Sequence, residues 1–379
     1  MNKRVYFDYA AATPLDKSVS RAMQKVEPFF ANPSSNYQSG REAAKTMSQS
    51  KKTLGMQMGA NADEIVLTSG ATEANNLAII GSMQNYKDGE IITIATEHSS
   101  VREPLSHLHE NNFEIIYSKI SKTGKLDLTQ FERNLSIKTR LVTIAYANSE
   151  IGTVQKLSKI SQIIKKFNTQ NNTNILFHSD CSAAIGSLNC DVSRLGLDMA
   201  TFSAAKIYGP KGIGMLYIKR GTKVNPILFG GGQQSGLRSG SEGLALTVGF
   251  AEAMKLAVAV RKNEAIKYKE MYIKLIHQLQ EKLTFIENGD AKDRIFNIAN
   301  ISFEGLDGEN LVAYLDSQGI EVSTGAACEA SNDKPSEVLL SLGLSESQAQ
   351  GSLRISFGRP TTHKDIDFLI EKLIGIISS

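Results

Sequence analysis

A chain of 379 residues has room for roughly two or three domains at about 100–200 residues each, with ample apolar core. Lys plus Arg number 42 against 39 Asp plus Glu, a formal net charge of +3 spread along the chain, which argues against direct nucleic-acid binding and against a membrane-surface footprint. The N-terminus reaches Asp8 before any apolar signal core develops, and no apolar run approaches a membrane span, so a cytoplasmic protein is expected. Three cysteines, Cys181, Cys190 and Cys328, are too few and odd in number for a disulfide framework.

In chain order, short β-rich runs alternate with helical stretches through the first two-thirds: E-I-V-L-T at 64–68, I-I-T-I-A-T at 91–96, F-E-I-I-Y-S at 113–118, L-V-T-I-A-Y-A at 141–147, N-I-L-F-H-S at 174–179, M-A-T-F-S at 199–203 and G-M-L-Y-I at 214–218. These seven runs predict an α/β fold with a mainly parallel sheet covered by helices on both faces. The Asn-rich piece 168–174 reads as a surface loop. The glycine-rich segment 229–241 permits turns close to a ligand or a neighbouring subunit. A long helix from Leu244 to about Phe285 follows, then strand, helix, strand and a C-terminal helix, which reads as a smaller α+β domain.

Ligands of open α/β sheets sit beyond the carboxyl ends of the strands, and four chemically useful features fall there. Thr68 to Glu73, including Ala71 and Thr72, opens a helix whose N-terminus suits an anion such as phosphate, although a hydroxyl before a helix is usually an N-cap. His98 follows I-I-T-I-A-T-E, where a lone histidine is most often structural. Asp180 ends N-I-L-F-H-S, where a carboxylate either holds a cationic ring nitrogen or caps a turn. Lys206 ends M-A-T-F-S-A-A, where solvation is a lysine's ordinary state. Together, an anion cradle, a stacking ring, a carboxylate and a lysine at adjacent strand ends suit pyridoxal phosphate, which needs a Schiff-base lysine and a protonated pyridine nitrogen. No G-x-G-x-x-G follows an early strand, G-P-K-G-I-G lacks the order of a nucleotide-phosphate loop, and no cluster has metal-ligand spacing.

The sequence resembles the cysteine desulfurases of the class V aminotransferase family, fold type I, in the NifS-like and IscS-like branch. Ten ordered motifs carry the likeness: V-Y-F-D-Y-A-A-A-T-P at 5–14, N-P-S-S at 32–35, T-S-G-A-T-E-A-N-N-L-A at 68–78, T-E-H at 96–98, E-I-G at 150–152, S-D at 179–180, F-S-A-A-K-I-Y-G-P-K-G-I-G at 202–214, L-R-S-G-S at 237–241, S-T-G-A-A-C at 323–328 and L-R-I-S-F-G-R at 353–359. The resemblance implies a large cofactor-binding domain over 15–243 and a small domain formed by 1–14 and 244–379 that carries the catalytic-cysteine loop. It also implies that Lys206 forms the Schiff base, Asp180 pairs the pyridinium nitrogen, and His98 stacks on the ring and assists proton transfer. Ala71, Thr72, Ser203 and Ser149 would contribute to cofactor binding. Ser241 would reach the phosphate of the other subunit, so a homodimer is implied. Asn148 and Arg354 would bind substrate, with the Arg354 fork on its carboxylate.

Cys328 lies between G-A-A and E-A-S-N-D-K-P, a loop composition, whereas Cys181 and Cys190 read as small buried apolar residues. By the resemblance, L-cysteine displaces Lys206 from the cofactor, Lys206 removes the α-proton, and the Cys328 thiolate attacks the substrate sulfur, leaving a persulfide and alanine. The persulfide would then serve an acceptor in iron–sulfur cluster assembly or tRNA thiolation.

Four positions depart from the family. Ala205 replaces a histidine that contacts phosphate, Ala183 a glutamine that meets the ring's phenolic oxygen, Ser149 an asparagine, and Tyr37 a histidine. Uncompensated, the two lost donors at 183 and 205 would weaken cofactor binding by roughly one to two orders of magnitude, at about 0.5–1.5 kcal/mol apiece. These departures motivate two alternatives: a desulfurase-derived scaffold without turnover, or a related lyase or transaminase acting on selenocysteine or cysteine sulfinate.

Overall fold

The computed structural model describes residues 4–325 and 335–378. After the two-residue strand β1 (Val5–Tyr6) come β2 (Ile65–Thr68), β3 (Gly89–Thr93), β4 (Phe113–Tyr117), β5 (Thr139–Thr143), β6 (Leu176–Asp180), β7 (Met199–Ser203) and β8 (Gly214–Ile218). The last seven form one sheet in the order β2-β8-β7-β6-β5-β3-β4. β8 runs antiparallel to both of its neighbours and the other pairs are parallel. Every residue of β2, β7 and β8 is buried, and those runs accordingly are mostly apolar and carry no charged residue.

The reversed strand has a consequence for the site. Its register pairs Gly214 with Thr68 on one side and with Ser203 on the other, so β8 begins at the edge where its neighbours end. The chain entering β8 therefore joins the strand ends that carry Ser69, Asp180 and Lys206.

The rest of the chain builds a second core. It contains β9 (Ile286–Asn288), β10 (Ile298–Ser302), β11 (Ile320–Glu321) and β12 (Ser352–Ser356), with β12-β10-β9 as an antiparallel sheet and β11 paired in parallel to β1. The 37-residue helix Leu244–Gln280 spans both cores. Leu244, Phe250 and Met254 pack with the large sheet, whereas Met271, Leu275 and Leu279 pack with the small one.

Residues 7–13 tie the two cores together. Phe7 is buried in the small core and Ala10 in the large. Ser356 N donates to Phe7 O at 2.6 Å, Ala10 N to Ser356 Oγ at 2.9 Å, and Thr13 N to Ala205 O at 3.0 Å.

One expectation fails in part: residues 168–171 are helical, belonging to the helix Leu157–Asn171, and the turn begins only at Asn172 with φ 52°. Asn168 makes this possible. Its Oδ1 accepts from Thr173 Oγ1 and Ile175 N, both at 2.9 Å, binding the last helical turn to the approach of β6.

A Cβ added at Gly214 would lie 2.6 Å from the Gly70 carbonyl carbon and 2.7 Å from Phe202 O, both backbone atoms that cannot rotate away. Gly214→Ala is expected to cost about 1–3 kcal/mol in denaturant unfolding, as overpacking does. An unchanged unfolding midpoint would contradict this close approach.

Candidate active site

A cavity of about 400 Å³ opens at the shared edge, within the roughly 300–1,000 Å³ common for small-molecule sites. Its walls include Lys206, Asp180, His98, Ala71, Thr72, Ser203, Asn148, Ser149 and Arg354, so the structure gathers these sequence-predicted residues in one place. Ser241 is exposed and does not line this cavity in its own chain. Cys328 lies outside the described residues. Cys181 and Cys190 are free and buried, with exposures of 0% and 1%, as their apolar surroundings suggested.

Lys206 follows β7 on a single 3-10 turn, Ala204–Lys206, and is half-buried. Its Nζ donates to Ala10 O and Ala11 O, each at 2.7 Å. In the turn below it Tyr208 adopts the left-handed region at φ 63°, as Gly212 does further along at φ 82°. That conformation is uncommon for a bulky residue and is held by its surroundings: Tyr208 N donates to Thr13 Oγ1 at 2.6 Å, and the Arg359 guanidinium lies over the Tyr208 ring at 4.2 Å.

Asp180 is fixed from two sides. Oδ1 accepts Ser182 N at 2.8 Å and Oδ2 accepts Asn75 Nδ2 at 2.8 Å. Asn75 also donates to Ser100 Oγ at 2.9 Å, leaving that hydroxyl to donate to His98 Nδ1 at 2.8 Å. Ser100 N also donates to the same Nδ1, at 3.1 Å. An accepting Nδ1 places the ring proton on Nε2, so one chain of contacts from Asp180 sets the tautomer of His98. Asn75 was missed in the sequence, where it is one of two consecutive asparagines in a helix. The available signal was its place one turn beyond Ala71 and Thr72.

The helix Ala71–Met83 begins at Gly70, and a Cβ placed on Gly70 would meet nothing within 4 Å, so the approach to its first amides is open. Arg238, from the glycine-rich segment, pairs with Glu73 through Nε–Oε1 at 2.7 Å and Nη2–Oε2 at 3.2 Å, compensating a carboxylate beside an anion-seeking helix end.

Arg354 is almost buried. Nη2 donates to Asp8 Oδ1 at 2.9 Å, Nη1 to Ser149 O at 3.4 Å, and Nε has no partner. Asn148 shapes the neighbouring turn: its Oδ1 accepts Glu150 N and Ile151 N at 2.8 Å, and its Nδ2 donates to Thr96 O at 2.8 Å. Glu150 Oε1 accepts Ser336 Oγ at 2.5 Å, and a Cβ on Gly325 would come within 2.0 Å of the same oxygen. Residues flanking 326–334 therefore rest on one carboxylate, a role that nothing in E-I-G announced.

The departing positions have distinct surroundings. Ala205 O accepts both Thr13 N and Thr13 Oγ1, so its backbone is used although its side chain offers no donor. Ala183 lines the main cavity and also, with Lys206, a second cavity of about 30 Å³, large enough to admit water. Ser182 Oγ beside it is buried without a partner. Tyr37 is exposed at the start of the helix Gln38–Met58.

Glu97, also missed, is buried at 1% exposure, with Oε1 accepting Ala145 N at 2.7 Å and Oε2 lacking a partner. Burial, with a smaller push from the Asp180 charge, raises its pKa to about 8. As pH rises from the ordinary carboxyl value towards 8, the unfolded chain releases a proton that the folded chain retains, so stability falls across that window. In cofactor-free protein, Glu97→Gln is expected to match the native chain near pH 5 and to exceed it above about pH 8 by a few kcal/mol. Parallel stability profiles in thermal unfolding would contradict this assignment.

A family model described as aminotransferase class-V matches residues 5–369. The chain is 37% identical over 381 residues to a protein named cysteine desulfurase IscS from Dictyoglomus turgidum, covering 100% of this chain and 95% of that relative. It is 37% identical over 375 residues to cysteine desulfurase IscS 1 from Archaeoglobus fulgidus, covering 98% and 96%. Among solved structures it is similar to a NifS-like protein, with a TM-score of 0.92 at 31% identity and 99% of each chain covered. It is also similar to SspA in complex with cysteine, with a TM-score of 0.80 at 31% identity, covering 93% of this chain and 98% of that one.

Proposed function

From the premise that this chain belongs to the class-V aminotransferase family and is a cysteine desulfurase, we propose which of its residues hold cofactor and substrate and which carry the sulfur. The family depends on pyridoxal 5'-phosphate, and the donor set here fits that group. Lys206 provides an amine for its aldehyde, Asp180 a carboxylate for its ring nitrogen, and Ala71, Thr72 and Ser203 a cradle for its phosphate. Ser182 Oγ, buried without a partner, adds an uncommitted hydroxyl beside Asp180. When bound, the cofactor supplies an electron sink for charge developing at the substrate's Cα.

The single observation carrying this reading is the convergence of Lys206, Asp180, His98 and Arg354 on one cavity. Arg354 binds the carboxylate of L-cysteine and orients its Cα towards Lys206. Lys206 Nζ, the amine that would hold the cofactor, takes the α-proton. His98, with its ring proton on Nε2, assists transfer of a proton to the departing carbon skeleton. The Cys328 thiolate attacks the substrate sulfur: an S–S bond forms, the Cβ–S bond breaks with its electron pair remaining on carbon, and a proton delivered to Cβ together with return of the α-proton from Lys206 to Cα completes alanine. Cys328 is left as a persulfide.

Ser241 contributes to the phosphate site of a second copy, so the working unit is a homodimer. The persulfide is delivered to a protein of iron–sulfur cluster assembly or to a tRNA-thiolation enzyme. Binding of cysteine by a similar structure, SspA, supports the substrate assignment. The scaffold alternative is disfavoured by retention of Lys206, Asp180, His98 and Arg354 in one cavity.

Purified protein with pyridoxal phosphate is expected to show a near-visible absorption band that Lys206→Ala abolishes and L-cysteine shifts, with alanine released. Absence of the band at saturating cofactor would mean that the donors lost at Ala183 and Ala205 are uncompensated, and would favour the scaffold.

A further inference from the structure

The buried ion pair at the substrate end of the cavity involves a residue with no assigned task. Asp8 is 19% exposed at its side chain and Arg354 is 6% exposed at its own, with Nη2 and Oδ1 2.9 Å apart. Both partners are fixed by backbone. Arg354 lies in β12, paired with Asn300 and bridged to Ser323. Asp8 is bridged in parallel to Ser356, two residues along the same strand and so on the same face as Arg354. Asp8 O also accepts Ala11 N at 3.1 Å and Tyr6 OH at 2.8 Å, which closes a turn rather than leaving a free strand.

We infer that Asp8 is a positioning residue for the substrate carboxylate, holding the Arg354 guanidinium by one nitrogen so that its remaining donors face an α-amino-acid carboxylate in a fixed orientation. This rests on the reading of Arg354 given above. A lone arginine loses much rotamer freedom when it binds an anion, and an arginine already held at one edge has less to lose. The long 3.4 Å contact from Nη1 to Ser149 O, and the single bond made by Nη2, leave donor capacity at the guanidinium tip for a planar acceptor. The same turn carries Ala10 and Ala11, whose carbonyls take Lys206 Nζ. Asp8 thereby sets the substrate clamp in register with the reacting amine.

The test uses cofactor-loaded enzyme and two ligands, L-alanine, which keeps the carboxylate, and cysteamine, which has the amine and thiol of cysteine without it. Calorimetric titration of Asp8→Ala is expected to show alanine binding weakened about tenfold or more and cysteamine binding unmoved. In turnover the loss falls on KM for L-cysteine rather than on kcat. Asp8→Asn, which keeps an acceptor in place, recovers part of the affinity. If Asp8→Ala does not fold, Asp8→Glu, which displaces the carboxylate by one methylene, carries the same expectation in smaller measure. Equal loss of both ligands would mean a structural role only and would overturn the inference, as would alanine binding unchanged in Asp8→Ala while Arg354→Ala abolishes it. Alanine binding unchanged in Arg354→Ala would instead overturn the reading of Arg354 itself.

Discussion

The carbonyls of Ala10 and Ala11 take hydrogen bonds from Lys206 Nζ, and much of the site follows from how that short segment is held. Residues 7–13 begin in the small core, where Phe7 is buried, and end on the large one, where Thr13 binds Ala205 and Tyr208. The segment cannot shift without breaking bonds to Ser356 on one side and to the Lys206 turn on the other. It places the amine from one core beside the guanidinium from the other, across a cavity that neither core would form alone. Groups held this way have already given up the freedom that a looser assembly would lose on meeting a ligand.

The sheet supplies the complementary half. Reversal of β8 puts its first glycine against Gly70 and Phe202, closing the edge around the Lys206 turn. Burial then decides the charges. Two carboxylates, Asp180 and Glu97, lie in one low-dielectric region, and they are treated differently. Asp180 receives hydrogen bonds from Asn75 and Ser182, whereas Glu97 has one backbone donor and an oxygen with none, so it retains its proton into the neutral range. His178, between Thr143 and Thr201, is kept neutral by burial, its pKa lowered to about 4.

What was legible in the sequence was local. Most of the seven strand runs could be read because buried strands of such a sheet are rich in apolar residues, and Lys206, Asp180 and His98 could be read because strand ends are where such sheets bind ligands. Asn75, Glu97 and Asp8 were not legible as site residues. Asp8 meets Arg354 from 346 positions away and Asn75 meets Asp180 from 105, distances over which no periodicity carries information. The turn below Lys206 was not legible either, since nothing in I-Y-G-P marks Tyr208 as a left-handed residue. The Asn-rich stretch misled because composition favours loops, whereas Asn168 spends its side chain on ending a helix.

The central claim is that this cavity delivers a substrate sulfur atom to one thiol. Mass spectrometry of proteolytic fragments, taken after cofactor-loaded protein has met a stoichiometric amount of L-cysteine and before any acceptor or reductant is added, tests it directly. The account predicts one added sulfur atom on the fragment bearing Cys328, with Cys181 and Cys190, both buried, unmodified. Alanine formation without added sulfur on Cys328, or sulfur found instead on either buried thiol, would contradict it.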